Sequence, residues 1–482
     1  MDHMILLTQF RIMCLLPPIE KRMEYSMKSG PGHNSGNAVP TIGERSEAAY
    51  VRERKVVPGG SMRAASWLQP HPPYAARGEG CWVIDIDGRR LLDCANNFFS
   101  LIHGHAYGPV LDAVRNAMTR GTAFGMPTES EILLAEALAA RSPRMEQTRF
   151  CNSGTEAVLA AIKGARGLTG RHRIAKFEGC YHGAYDWIEV SLDPTPSNWN
   201  DENGDPASIR CNAGTPASVL QEVVVLPYDD PQRCADILRR EGGTLAAVIV
   251  DPNASRAGAV PMSRETTAVI QQACARDGII LIADEVISFR LSYEGASPLF
   301  GLEPDLITTA KIIGGGLPIG AVSGRAECMS VFDHSAGKPK VSMGGTFSAN
   351  PLSMAAGLTS LEHYSRPVVD RLNKLGDVLR ARITRGLADA GVAATVTGMG
   401  SLFRLHIGAG KVTGYRSAFP TAEAAERIRR VQLAMLDENV LLTPNCSGSL
   451  SSPMTEVEVF SIADKLVSVV EREFDTHRDS VV

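Results

Sequence analysis

None of the ten cysteines forms a CxxC pair or sits at a zinc-ligand spacing. This excludes the common zinc modules and predicts reduced thiols in a cytoplasmic protein. Neither sign of charge dominates: 49 Lys and Arg face 53 Asp and Glu, a net −4. There is thus no basic footprint for nucleic acid or an anionic membrane. No run of about 18 or more uncharged apolar residues occurs, which argues against a transmembrane helix. The opening MDHMILLTQFRIMCLLPPIE is apolar in part, yet Arg11 interrupts it and no basic n-region or cleavage site frames it, so no signal peptide is read. No fixed-period repeat is found. No GxGxxG follows a strand-like run, which disfavours dinucleotide binding. GAGKVTG from Gly408 lacks the upstream Gly of a phosphate loop and carries Val412 in place of Ser or Thr. A small-molecule partner is the default that remains, with no metal site.

What is present is ordinary globular composition, 44% hydrophobic and 21% charged over 482 residues, long enough for a large domain and one or two smaller ones. Residues 1–45 are expected to be a disordered extension. Met27 to Arg45 is rich in Gly, Ser, Asn and Pro, a composition that cannot repay its ordering entropy. Met23 or Met27 could equally be the start. Order is expected from WVIDIDGRRLLDC, where alternating runs flank Asp87-Gly88, a hairpin signal. Further on, apolar runs such as LAAVIVD, IILIAD and DLITTAK alternate with helical patterns. Strands buried on both faces and joined by helices imply a mostly parallel sheet, an α/β sandwich. After Asn350 the pattern turns to long helices with short strands FRLHI and VLLTP. The expected division is 46–110 as the N-terminal part of a small α+β domain, 111–350 as the large domain, and 351–482 as an interdomain helix with the C-terminal small domain.

Four strand ends carry residues with chemistry, as expected for a ligand held at the carboxyl edge of a parallel sheet. Ser153-Gly154-Thr155 lies between a strand and a helix. It reads either as a helix N-terminus offering N–H groups to an anion or as a capping box from Ser153 to Glu156. Asp284 ends IILIAD, where a carboxylate calls for a cationic partner such as a protonated ring nitrogen; it is equally a common turn starter. Lys311 follows DLITTA and precedes Gly314-Gly315-Gly316. A buried lysine loses its charge readily and becomes a nucleophile for aldehydes. Tyr181 and His182 sit in Gly179-Cys180-Tyr181-His182-Gly183, where an aromatic could stack on a flat ring. Together these are the parts of a pyridoxal 5′-phosphate site: phosphate cup, carboxylate, stacking ring and Schiff-base lysine.

The order and spacing of NSGTEA, KFEGCYHG, AVIVDP, LIADEV, TTAKIIGGGLPIGA and GGTFSANPLSMAAG resemble class III aminotransferases. The likeness is greatest to the subgroup around glutamate-1-semialdehyde 2,1-aminomutase and the β-amino-acid aminotransferases, and it runs from about Ser46 to Phe474. The resemblance implies fold type I of the pyridoxal phosphate enzymes, with a mostly parallel seven-stranded sheet between helices and a smaller α+β domain. It also implies that Lys311 carries the cofactor, Asp284 holds the pyridine nitrogen, and Ser153, Gly154 and Thr155 bind the phosphate. Tyr181, with His182 beside it, matches the stacking position on one ring face and Val286 the residue on the other. Thr346 matches a residue that reaches the neighbouring subunit's phosphate, which implies a homodimer. Arg63, in PGGSMR, matches an arginine that binds a substrate carboxylate.

Departures cluster around the substrate. Asp251-Pro252 replaces the usual Glu-Pro, and Arg256 stands where the aminomutase has Asn. The arginine that some β-amino-acid enzymes carry near the C-terminus is replaced around Pro444-Asn445-Cys446. The expected activity is a ping-pong transfer from a carboxylate-bearing β- or ω-amino donor to a keto acid acceptor, with intramolecular amino transfer as the alternative. What remains is divided between decarboxylase or racemase chemistry on the same scaffold and a cofactor-binding regulator without catalysis.

Overall fold

The structure is a computed structural model that describes residues 42–408 and 410–478. The expected N-terminal extension therefore falls almost wholly outside the described residues, although helix α1 (Glu44–Glu53) already begins within it.

The central sheet has seven strands in the order β4-β10-β9-β8-β7-β5-β6. They are β4 (Gln147–Cys151), β5 (Arg173–Phe177), β6 (Val223–Leu226), β7 (Leu245–Val250), β8 (Ile280–Asp284), β9 (Leu306–Ala310) and β10 (Gly320–Gly324). Ladders β9-β8-β7-β5-β6 are parallel. Only β10 is reversed, against both neighbours. Every residue of β7, β9 and β10 is buried. This is why those strands read as continuous apolar runs, each fully buried Val or Ile contributing roughly 1.5–3 kcal/mol. Helices α2 (Gly108–Met118), α3 (Glu129–Arg141), α4 (Gly154–Thr169), α5 (Pro231–Glu241) and α6 (Arg264–Asp277) accompany the sheet. Helix α4 buries its Val158, Ala161, Ile162 and Ala165 face in one core with Ala247, Ile282 and Val322 of the sheet.

The hairpin around Asp87-Gly88 forms as β2 (Trp82–Asp85) and β3 (Arg90–Asp93), flanked by β1 (Ala75–Glu79). A late strand, β13 (Val440–Leu441), joins β3 in parallel, so segments from opposite ends of the chain share a sheet. A three-stranded sheet holds β11 (Ala394–Thr397), β12 (Leu402–Ile407) and β14 (Ser447–Ser449). With it pack α8 (Arg366–Asp389), α9 (Ala422–Asp437) and α10 (Glu456–Arg478), which share a core through Leu379, Ile383, Phe403, Val431, Ile462 and Leu466, while α7 (Pro351–His363) packs against α2 and α3. Among the described residues no helix is long and apolar enough to cross a membrane.

Candidate active site

Strands β4, β5, β7, β8 and β9 all end at one edge of the central sheet, and the residues after them converge there. Helix α4 starts directly after β4. Ser153 caps it, its Oγ accepting from the Glu156 N–H at 3.2 Å. A Cβ on Gly320 of β10 would sit 2.0 Å from the Ser153 carbonyl oxygen, so only glycine lets the helix start this close to the sheet. The turn after β5 is tied to the same helix, the Ala184 N–H donating to Thr155 Oγ1 at 3.1 Å. Gly183 there has φ +110 and would clash with Thr155 if it carried a Cβ.

A cavity of about 350 Å³ lies between these ends, lined by Gly154, Thr155, Tyr181, Asp284, Val286 and Lys311 among others. The Asp284 side chain is buried, and Oδ1 accepts from the Val286 N–H at 3.1 Å and the Thr308 hydroxyl at 3.1 Å. Its Oδ2 faces His182 Nδ1 at 2.7 Å. The His182 ring is buried with Nε2 unpartnered. Burial pulls its pKa down against the upward pull of Asp284, so the neutral ring donates from Nδ1 and steadies the carboxylate. Lys311 holds a strained left-handed backbone, φ +54, of the kind found at functional sites. Its Nζ donates to the Phe98 carbonyl at 3.0 Å. Burial brings the amine down to about 8, opposed by Asp284 and Asp251.

The carbonyl that meets Lys311 belongs to an unexpected feature. Asn96, Asn97, Phe98 and Phe99 all have positive φ, a left-handed turn that costs roughly 1–2 kcal/mol per non-glycine residue. Buried contacts hold it: the Asn96 N–H donates to Asp93 Oδ1 at 2.8 Å and its amide to the Ser449 carbonyl at 2.8 Å.

A second, larger chamber of about 720 Å³ opens from the first, sharing Tyr181, Ile287 and Lys311. Arg63, Arg256, Arg404 and Asp193 line it. Arg63 donates to Asn97 Oδ1 at 2.7 Å and lies 5.6 Å from the Phe98 ring centroid, while Arg256 pairs with Asp193.

With this geometry in view, the family comparison decides. A family model for the class III aminotransferases matches residues 64–427. The chain belongs to the class III aminotransferases. Among curated members, a glutamate-1-semialdehyde 2,1-aminomutase from Aeropyrum pernix is 38% identical over 381 residues, covering 78% of this chain and 86% of that one. The structure of an omega-transaminase from Sphaerobacter thermophilus superposes with a TM-score of 0.87 at 43% identity, covering 89% of this chain and 98% of that one. A transaminase solved with pyridoxal phosphate bound gives 0.84 at 38% identity, covering 90% and 99%. The fold is type I of the pyridoxal phosphate enzymes, and pyridoxal 5′-phosphate is the cofactor of this class III enzyme. The smaller cavity suits that group: an amine of lowered pKa, a buried carboxylate and free N–H groups at a helix start are gathered in it.

Of the residues singled out in the sequence, Gly154, Thr155, Tyr181, His182, Asp284, Val286 and Lys311 line the cofactor-sized cavity. Ser153 does not: its hydroxyl oxygen is engaged in capping, and Asn152 lines the wall instead. Thr346 is exposed and does not line the cavity of its own chain. Arg63 sits in the outer chamber. Asp251, noted only as a departure, also lines the cavity, its carboxyl pushed up to about 8 by burial and then by Asp284. The strand-end rule that picked Asp284 applies equally to Asp251. Arg404 was missed, although FRLHI puts it on one face with Leu402 and His406, and an arginine within a wholly buried strand is a signal in itself.

Proposed function

We propose that this enzyme is an intermolecular aminotransferase that moves the amino group of a carboxylate-bearing β- or ω-amino donor to a keto acid in two half-reactions. One observation carries the reading: the Lys311 amine stands where a cofactor-sized cavity meets an arginine-lined chamber. Bound pyridoxal phosphate supplies an electron sink. Lys311, with its amine near 8, would hold that group, and the same amine is the base placed to move a proton at the reacting carbon. Asp284, steadied by His182, Thr308 and the Val286 N–H, keeps the pyridine nitrogen protonated. Gly154 and Thr155, at the start of α4, meet the phosphate, with Ser153 shaping that start. Tyr181 and Val286 flank the ring. Arg63 takes a substrate carboxylate as a fork.

The enzyme acts as a homodimer in the cytoplasm, Thr346 reaching the partner's phosphate. The exposure of Thr346, Ile132 and Phe347 and the free state of the described cysteines support this. The kinship with aminomutases favours a second reading, intramolecular transfer on one substrate.

The test is an absorbance titration of the holoenzyme with α-, β- and ω-amino donors, without acceptor. Conversion of the cofactor band by a β- or ω-amino acid, reversed by a keto acid, is the expected result. A band that no such donor moves overturns the reading. Isomerisation of one compound with no acceptor needed establishes the aminomutase instead.

A further inference from the structure

Each carbonyl of the left-handed turn at 96–99 has its own donor. The Asn96 carbonyl accepts from the Ser100 N–H at 2.9 Å, the Asn97 carbonyl from the Ser100 hydroxyl at 2.9 Å, and the Phe99 carbonyl from Arg290 Nη1 at 3.2 Å. The Phe98 carbonyl takes the Lys311 amine, at 3.0 Å. Four consecutive residues with φ from +45 to +71 are an unfavourable way to join β3 to α2. What the strain achieves is the placing of that one carbonyl.

The ties that hold the turn lie outside both chambers. Asp93 and Asn96 are buried and line neither of them. Asp93 accepts the Asn96 N–H on Oδ1 at 2.8 Å and faces His105 Nε2 with Oδ2 at 2.7 Å. His105 is fixed in turn: its N–H donates to the Gly80 carbonyl at 2.7 Å, and a Cβ on Gly78 would stand 2.4 Å from its ring. The Asn96 amide donates to the Ser449 carbonyl at 2.8 Å.

An amine nitrogen has four tetrahedral directions. Cε takes one and the Phe98 carbonyl a second, so the lone pair that attacks an aldehyde is confined to the other two. A carbonyl that accepts from an amine also favours its charged form. The charges that face Lys311 are Asp284 and Asp251, which oppose the effect of burial, and Arg290, which adds to it.

We propose that Asp93 and Asn96 are positioning residues for Lys311: through the strained turn they present the Phe98 carbonyl, which orients the amine whenever the lysine is free. The inference rests on Lys311 being the amine that holds the cofactor. Neither Asp93 nor Asn96 touches the reacting atoms.

The experiment is competitive acetylation of the full-length apoenzyme with limiting acetic anhydride from about pH 6 to about pH 10, the Lys311 peptide being quantified by mass spectrometry. The wild type should show a midpoint at about 8. Asp93→Ala releases the turn and the charged amine loses its acceptor. The midpoint then falls by about one unit, and labelling at neutral pH rises about fivefold. Asp93→Asn removes the same charge but keeps an oxygen for the Asn96 N–H, so its midpoint stays within about 0.3 of the wild type. A lower urea midpoint in Asp93→Ala with the acetylation midpoint unmoved marks a purely structural tie and overturns the proposal. So does an Asp93→Asn shift as large as that of Asp93→Ala, which marks an effect of charge alone. In Asn96→Gly the glycine takes the positive φ freely and only the amide tie is lost. It should lower the midpoint likewise, a wild-type midpoint there overturns the proposal too, and it decides alone should Asp93→Ala fail to fold. No amino donor or acceptor is present, so a failed donor titration would overturn the aminotransferase reading and leave this result standing.

Discussion

The amine of Lys311 and the carboxylate of Asp284 define the chemistry available at the sheet edge, and each makes its own prediction. An ordinary lysine stays mostly protonated up to about pH 10, whereas burial brings Lys311 to about 8. Only the neutral amine attacks an aldehyde, so reconstitution of the apoenzyme with pyridoxal phosphate should accelerate about tenfold per pH unit below 8 and level off above it. Stopped-flow absorbance measures this, and Lys311→Ala should show no covalent phase. A rate still climbing at pH 10 would mean that the amine is not buried as described. Asp284→Asn keeps the shape but replaces the carboxylate that faces His182 at 2.7 Å. A fall in kcat of roughly 10²–10³ is expected, the size seen when one preorganised electrostatic partner is removed. Circular dichroism should report an unchanged fold.

Helix α4 shows how one element serves stability and site together. Its approach to the sheet depends on Gly320 and its first turn on the Ser153 cap. The two readings of Ser153 open in the sequence make different predictions. With the hydroxyl oxygen accepting from Glu156, Ser153→Ala should cost about 1 kcal/mol of stability in urea denaturation of the apoenzyme. Cofactor affinity should change by less than about threefold. A large loss of affinity at unchanged stability would return Ser153 to the phosphate. The left-handed turn at Asn96–Phe99 lies at the same scale and was illegible beforehand. Asn tolerates positive φ, but nothing in NNFF calls for it at both phenylalanines; Ser449, some 350 positions away, holds the turn through the Asn96 amide.

At the scale of the whole molecule, the exposed apolar residues Met118, Phe124, Met126, Ile132, Leu133 and Phe347 fall on α2, α3 and the loops that follow them or precede α7. The segments are linked by the Asn350 amide donating to the Thr122 carbonyl at 2.8 Å. Apolar surface of this kind marks an interface. Light scattering should give twice the chain mass. Thr346→Ala should weaken cofactor binding by roughly tenfold, the value of one hydrogen bond to a charged group, and leave the dimer intact. A monomer that binds cofactor normally would remove Thr346 from the site.

The sequence by itself determined the α/β sheet and most of the residues that line the smaller cavity. Fully buried strands write themselves as apolar runs, and Asp284 ends its strand while Lys311 directly follows its own, so short-range pattern suffices. The chamber was decided only by tertiary structure. Arg63, Arg256 and Arg404 lie as much as 341 positions apart by their numbers, and whether an arginine is paired, as Arg256 is with Asp193, or left without a carboxylate among the described residues, as Arg404 is, depends on which distant backbone packs beside it. Charge pairing and burial are properties of the folded neighbourhood, and no local pattern encodes them.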